Sequence, residues 1–152
     1  MSFWNSIRIG ASGLSAQRLR LDVISNNIAN AQTTKTEDGG PYQRQDVVFS
    51  PQDSNTFLPT FLANRLQGTP AARAVAEGGV QVTQVVTDET PGAQVYDPTH
   101  PDADENGYVT YPNVDLVVEM TNMLSATRSY EANLAAVEAA KRMALKALDI
   151  GS

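Results

Sequence analysis

The first thirty residues carry aliphatic side chains at a seven-residue interval. Ile7, Leu14, Leu21 and Ile28 form one column, and Phe3, Gly10, Gln17 and Ile24 form its companion. One column is wholly aliphatic and the other mixed, which predicts a helix from about Asn5 to Asn30 that packs in the manner of a coiled coil. Such a helix is about 40 Å long. Gly10 and Gly13 weaken it in isolation, each by about 1 kcal/mol relative to alanine.

Helical periodicity stops at TTKTEDGGP (Thr33–Pro41), which is turn and linker chemistry. Alternation then takes over. YQRQDVVF (Tyr42–Phe49) and VQVTQVVT (Val80–Thr87) predict strands, and AQVYD (Ala93–Asp97) and GYVTY (Gly107–Tyr111) predict shorter ones. Between the first two, Pro51–Gly79 bears Pro, Ala and Gly and predicts an irregular loop, in which FLPTFLANRL (Phe57–Leu66) alone has an orderable pattern.

From Asn113 the period is helical again. Leu116, Met120, Met123, Tyr130, Leu134, Val137, Ala144 and Leu148 fall at three- and four-residue steps, interrupted by Thr127 and Lys141. Asn113 stands where an N-cap is expected, Asp115 in the first turn, and Gly151 at the stop. Arg128 with Glu131 and Glu138 with Arg142 are spaced to pair on the helix surface. Seven alanines in the second half (Ala132, Ala135, Ala136, Ala139, Ala140, Ala144 and Ala147) allow another helix to approach closely. The predicted chain is therefore α+β: long N- and C-terminal helices forming a coiled-coil-like pair or bundle, with a small β-rich middle domain between them. The expected divisions are 1–32, 33–112 with the irregular loop 51–79, and 113–152.

Composition narrows what this architecture can do. A chain of 152 residues holds one ordinary domain, or a small one with extended appendages. Its net charge of −6 argues against a nucleic-acid backbone as partner. The charge is unevenly spread: +3 over residues 1–35, −8 over 36–112 and −1 over 113–152. A basic start beside an acidic middle can help orient subunits that meet head to side. The absence of cysteine removes disulfides, thiol catalysis and Cys-type zinc sites, while leaving the redox compartment open. No apolar run is long enough to span a bilayer, so no direct membrane insertion is expected. The start, MSFWNSIRIGASGLSAQ, has no continuous apolar core of the kind a cleaved secretory signal needs, so export would require a different route.

Candidate chemistry is sparse. Asp102-Ala103-Asp104-Glu105-Asn106-Gly107 fits the first half of a calcium-binding helix–loop–helix motif, with oxygen ligands at alternate positions and glycine sixth. The twelfth position, where a bidentate Glu should close the cage, is Asn113, and a strand-like segment follows instead of a helix. The expectation is an acidic turn held by its own Asp and Asn side chains; a calcium-dependent binding module using Asp102, Asp104 and Asn106 is the alternative. His100, the one histidine, lies in a carboxylate-rich loop with no advertised nucleophile or pocket. Gly10-Ala11-Ser12-Gly13-Leu14-Ser15 lacks the preceding buried strand that a nucleophile elbow or phosphate loop requires. Asp88 and Glu89 are adjacent carboxylates expected in solvent. No enzyme activity, cofactor or metal is expected.

The helices carry the signal instead. Their two seams hold about a dozen sizeable apolar side chains without an obvious internal core to receive them, each worth about 1.5–3 kcal/mol when buried. An intramolecular hairpin of the first and last helices accounts for part of that surface. It does not account for LDVISNNIAN (Leu21–Asn30), whose polar side is uncharged amide rather than solvating charge. Amides suit a face that becomes buried and must satisfy donors and acceptors. The plainer reading of each asparagine is a C-capping or turn role, which Asn30 fits best.

These segments resemble a known family. ISNNIANAQTT (Ile24–Thr34), GGPYQRQDVVF (Gly39–Phe49) and SATRSYEANLAAVEAAKRM (Ser125–Met143) are similar to the axial proteins of the bacterial flagellum. With VYDPTHPDADENGYVTYPNVDLVVEM (Val95–Met120), the resemblance narrows to the proximal part of the basal-body rod. It covers residues 2–50 and 80–150. The resemblance implies a non-catalytic structural subunit, exported without cleavage through the flagellar type III apparatus. Its terminal helices would line the inner tube of a helical hetero-assembly with other rod proteins and basal-body components. That rod would span the periplasm and carry motor torque to the hook. It implies that Asn26, Asn27, Ile28 and Asn30, and Tyr130, Glu131, Asn133 and Leu134, pack in the inner tube. With the seam residues, the expected subunit interface is Ile7, Leu14, Leu21, Ile24, Asn26, Asn27, Ile28, Asn30, Tyr130, Glu131, Asn133, Leu134 and Val137, with the amides bonding to neighbouring subunits. A helical subunit of a related type III secretion system is the nearer alternative.

Overall fold

Residues 3–37, 39–52 and 78–150 are described in a computed structural model. They form helix α1 (Phe3–Ala29), strands β1 (Gln45–Pro51), β2 (Val80–Thr87), β3 (Gln94–Tyr96) and β4 (Tyr108–Thr110), and helix α2 (Leu116–Ile150). This is the α+β order that the two periodicities predict. The irregular loop expected at 51–79, with its FLPTFLANRL stretch, lies outside the described residues except at its ends.

The 27 residues of α1 make a rod of about 40 Å, and the 35 of α2 one of about 52 Å. Asn30 closes α1: its backbone N–H and its Nδ2 both donate to the Asn26 carbonyl at 3.0 Å, and Thr33 bonds back to its carbonyl and side-chain oxygen. The start of α2 corrects the expectation for Asn113. The cap is Asp115, whose Oδ1 accepts from the backbone N–H groups of Val117 (2.8 Å) and Val118 (3.1 Å). A carboxylate there also suits the positive end of the helix dipole. Asn113 is occupied elsewhere, its Oδ1 accepting from the Arg44 backbone N–H at 3.1 Å.

The strands form two separate two-stranded ribbons, β1 with β2 and β3 with β4. At the ends of the first, Asp88 N–H donates to the Arg44 carbonyl and Gln52 N–H to the Gly79 carbonyl, at 2.7 and 2.9 Å. The second is an antiparallel hairpin in which Gln94, Val95 and Tyr96 face Thr110, Val109 and Tyr108. Tyr96 and Tyr108 meet edge to face across it, their ring centroids 5.3 Å apart, and Val109 is buried beneath. Gly107 turns the chain back with φ +81°, a backbone region open to glycine and costly for other residues.

The chain divides into two compact units, Met1–Ala16 with Phe49–Thr83 and Ser129–Ser152, and Gln17–Val48 with Gln84–Arg128. In the first, the buried positions among the described residues are small: Gly10, Gly13, Ala16 and Ala140. A Cβ on Gly10 would collide with the Val137 side chain, and one on Gly13 would come within 2.8 Å of Asn133 Nδ2. The two glycines thus let α1 and α2 approach closely. In the same unit Ser12 Oγ donates to the Ile9 carbonyl at 2.7 Å and accepts from Val80 N–H at 3.1 Å, tying the start of β2 to α1. In the second unit the described residues that are buried are Val23, Ile24, Asn27, Val47, Gly107, Val109, Pro112, Glu119 and Ala126. Two of the nine have polar side chains, and they touch.

Candidate functional site

The second unit is organised around Asn27, which is 0% exposed. It sits in the last turns of α1 on the inward face, where Val23 and Ile24 precede it. Its Nδ2 donates to the Gln45 carbonyl at 2.8 Å and to Glu119 Oε2 at 3.1 Å. Its Oδ1 accepts from Tyr42 Oη–H at 2.9 Å and from Gln45 N–H at 3.0 Å. Both donors and both acceptor positions of the amide are therefore used. A primary amide is the side chain that can serve a backbone N–H, a backbone carbonyl, a phenol and a carboxylate at once.

Glu119, also 0% exposed, rises from the first turn of α2. Its second oxygen, Oε1, accepts from Arg44 Nε at 2.9 Å, an ion pair whose guanidinium is partly covered. Arg44 also reaches Asp46, at 3.4 Å. Burial acts to lower the Arg44 pKa, but the hydrogen bond and charge of Glu119, followed by Asp46, outweigh it and raise the value. The guanidinium thus keeps its charge beside the carboxylate. The Tyr42 phenol is pushed above its ordinary value, first by burial and then by the negative charge of Glu119. Breaking such a buried pair from one side costs about 3–5 kcal/mol.

Glu119, Arg44 and Tyr42 were not among the expected site residues. A signal for Glu119 was present: it is the one charged residue in LVVEMTNMLSAT (Leu116–Thr127), alone on an otherwise apolar and neutral surface. Arg44 and Tyr42 sit in a strand-like stretch, and nothing local marks them as partners of a helix 75 residues away.

The expected interface residues divide into groups. Ile24 and Asn27 are buried within their own chain. The Asn27 amide makes its four hydrogen bonds inside this chain. Asn30 serves the end of α1, while Asn26 is exposed and its carbonyl receives that cap. Asn133 and Val137 stand against Gly13 and Gly10. The aliphatic column Ile7, Leu14, Leu21 and Ile28 is half-buried along its length, as is Tyr130, and Glu131 and Leu134 are exposed.

The larger apolar side chains of α2 face outward. Val117 is 74% exposed, Leu124 63% and Met120 56%, with Leu116, Val118, Leu134, Met143, Leu145 and Leu148 exposed as well. On α1, Trp4 is exposed too. α2 thus buries Glu119, Ala126 and Ala140 while most of its large apolar side chains face outward. That reverses the usual order for a surface helix and leaves an apolar face uncovered.

The acidic loop between β3 and β4 is occupied by its own chain. Asp104 Oδ1 accepts from the backbone N–H groups of Asn106 (2.9 Å) and Tyr108 (2.8 Å). Asp102 Oδ2 accepts from Thr34 Oγ at 2.7 Å, and the Asp102 N–H donates to His100 Nδ1 at 3.1 Å. Asp97 and Asp88 each hold the threonine two residues on, through its backbone N–H and its hydroxyl, and these bonds lower both carboxyl pKa values. Among the described residues, no group of three or more His, Asp or Glu is placed to hold a metal ion. No helix among them is long and apolar enough to cross a membrane.

Residues 7–35 match the family described as Flagella basal body rod protein, and residues 105–150 match the Flagellar basal body rod FlgEFG protein C-terminal family. The chain is 44% identical over 159 residues to the flagellar basal-body rod protein FlgC of Borreliella burgdorferi, covering 99% of this chain and 98% of that one. Against the proteins of the same description from Bacillus subtilis and Salmonella typhimurium, identity is 41% over 155 residues and 40% over 151, with 99% of each chain covered.

Proposed function

The chain belongs to the flagellar basal-body rod protein family, and from that premise we propose that it is a structural subunit of the rod whose two helices are completed by neighbouring subunits. The observation that carries this reading is the reversed helix pair. Gly10, Gly13, Ala16, Ala126 and Ala140 are inside, while Val117, Met120, Leu124 and Leu148 are in water. Each large apolar side chain gains about 1.5–3 kcal/mol on burial, so α2 alone offers a neighbour a substantial driving force. The half-buried column Ile7, Leu14, Leu21 and Ile28, together with Tyr130, Glu131 and Leu134, supplies further surface.

A contact between unlike faces of successive subunits does not close on itself and grows into a helical assembly. In this reading the subunit belongs to the proximal rod and is a non-catalytic part of a drive shaft. Residues 1–32 and 113–152 form the axial core and 33–112 the middle domain. It reaches the periplasm through the flagellar type III export apparatus and meets other rod and basal-body components there. Many side contacts along two long helices resist torsion better than a single point of attachment, which suits the transmission of torque.

The test replaces Val117, Met120 and Leu124 together with serine. These are exposed, so thermal stability of the purified protein should change little, while incorporation into isolated basal bodies and swimming are lost. Normal swimming in that variant overturns the proposal.

A further inference from the structure

Apolar contacts are non-directional and constrain only weakly how far along one another two helices sit, whereas a hydrogen bond requires a particular partner. Within the second unit the inward positions are Val23, Ile24 and Asn27 on α1, and Glu119 and Ala126 on α2. Of these, only the two polar residues lose defined partners when the helices slip.

We propose that Asn27, Glu119 and Arg44 form a register pin, which fixes the one alignment in which α1 and α2 pair. The socket is built without α2. Asn27 is held by Tyr42 and by both backbone groups of Gln45, and the Arg44 carbonyl is held by Asp88 N–H. Into it point two donors, Asn27 Nδ2 and Arg44 Nε, spaced to receive the two oxygens of one carboxylate. One turn further along α2 stands Met123, which cannot accept these bonds. One turn back stands Asp115, a shorter carboxylate already committed to capping Val117 and Val118. Either slip leaves Asn27 and Arg44 without their acceptor and moves Glu119 away from both donors. Buried polar groups specify register in coiled coils at some cost in stability, while apolar replacements of similar volume can be as stable or more so. The consequence for assembly rests on the rod reading: a pinned register presents the outward apolar pattern to neighbours in one arrangement.

Because the chain has no cysteine, register can be read by disulfide formation in the purified full-length protein. In an antiparallel pair, three residues back from Asn27 lies opposite three residues forward from Glu119. Ile24→Cys should therefore cross-link with Asn122→Cys, and not with Val118→Cys or Ala126→Cys. In the combined Asn27→Leu, Arg44→Met, Glu119→Leu background, helix content and melting temperature should hold while cross-links spread to position 118 or 126. Moving the carboxylate by one turn, with Glu119→Met and Met123→Glu, should shift the cross-link from position 122 to 126. The proposal is overturned if the apolar variant cross-links at 122 alone, or if it unfolds, which would make the network a source of stability. A relocated carboxylate that leaves the cross-link at 122 overturns it as well. Swimming is scored separately. A shifted register with normal motility would uphold the pin and count against the rod reading.

Discussion

Asn27 and Glu119, 92 residues apart in sequence, share a 3.1 Å hydrogen bond in which neither side chain reaches solvent. One end belongs to a motif rich in asparagine, the other to a lone carboxylate on a neutral helix surface. Together with Tyr42, Arg44 and Gln45 they join both helices to the segment entering β1.

Replacing Asn27 with alanine strands four partners: the Glu119 carboxylate, the Tyr42 hydroxyl, and the N–H and carbonyl of Gln45. The expected loss is about 3–5 kcal/mol in urea unfolding, since unpaired buried polar groups forfeit their full desolvation cost. Asn27→Ala combined with Glu119→Ala should cost less than the two single losses together, because each removes a partner of the other. Strict additivity would show that the two side chains act independently.

Alkaline pH should loosen the same network. The Tyr42 pKa is raised above 10.0 in the folded chain, so its contribution is fully present below that value and is lost as pH rises through the folded value. Unfolding midpoints measured upward from pH 9 should fall more steeply for the parent than for Tyr42→Phe. The phenylalanine variant itself should lose about 1 kcal/mol at neutral pH, from the missing bond to Asn27. Parallel curves for the two proteins would rule out this role.

At Gly10 two effects compete. Alanine there gains about 1 kcal/mol of helix propensity, yet its Cβ meets the stiff Val137 side chain, and overpacking costs about 1–3 kcal/mol. The clash should win, and Gly10→Ala should melt lower than the parent. Adding Val137→Ala relieves the clash and should recover part of the loss. Gly13→Ala should be milder, since the atom it meets is the movable end of Asn133.

Asp104→Ala removes the acceptor of two backbone N–H bonds and should cost the β3–β4 hairpin about 1 kcal/mol. Calorimetry of the parent and of Asp102→Ala with Asp104→Ala should show no calcium-linked shift in melting. A shift present in the parent and absent in the double variant would reinstate a calcium site at this loop.

The long elements were legible because period and length agree. The aliphatic column predicts α1, the return of three- and four-residue steps predicts α2, and strand-like stretches mark the four strands among the described residues. What the pattern could not say is which side of each helix faces inward. Periodicity locates an apolar stripe and assumes that it is buried, whereas here Gly10, Gly13 and Ala16 are inside and the column Ile7, Leu14, Leu21 and Ile28 is only half-covered. Asn113 suits the cap of α2 by position, but its side chain is spent on Arg44, a partner 69 residues away. Amides in LDVISNNIAN announced that a polar group would be buried, but the number of hydrogen bonds available to Asn27 depends on Tyr42, Gln45 and Glu119 arriving from elsewhere. Long-range partners of this kind leave no local mark.

The bond from Gln52 N–H to the Gly79 carbonyl has a practical use. It holds the two ends of the intervening stretch side by side, so extra residues spliced between them need not disturb the ribbon that the bond closes. Doubling the length of a closed loop adds only about 0.6 kcal/mol of closure entropy. A short epitope or fluorophore-binding peptide inserted there would give a handle for imaging the molecule while its helices stay native.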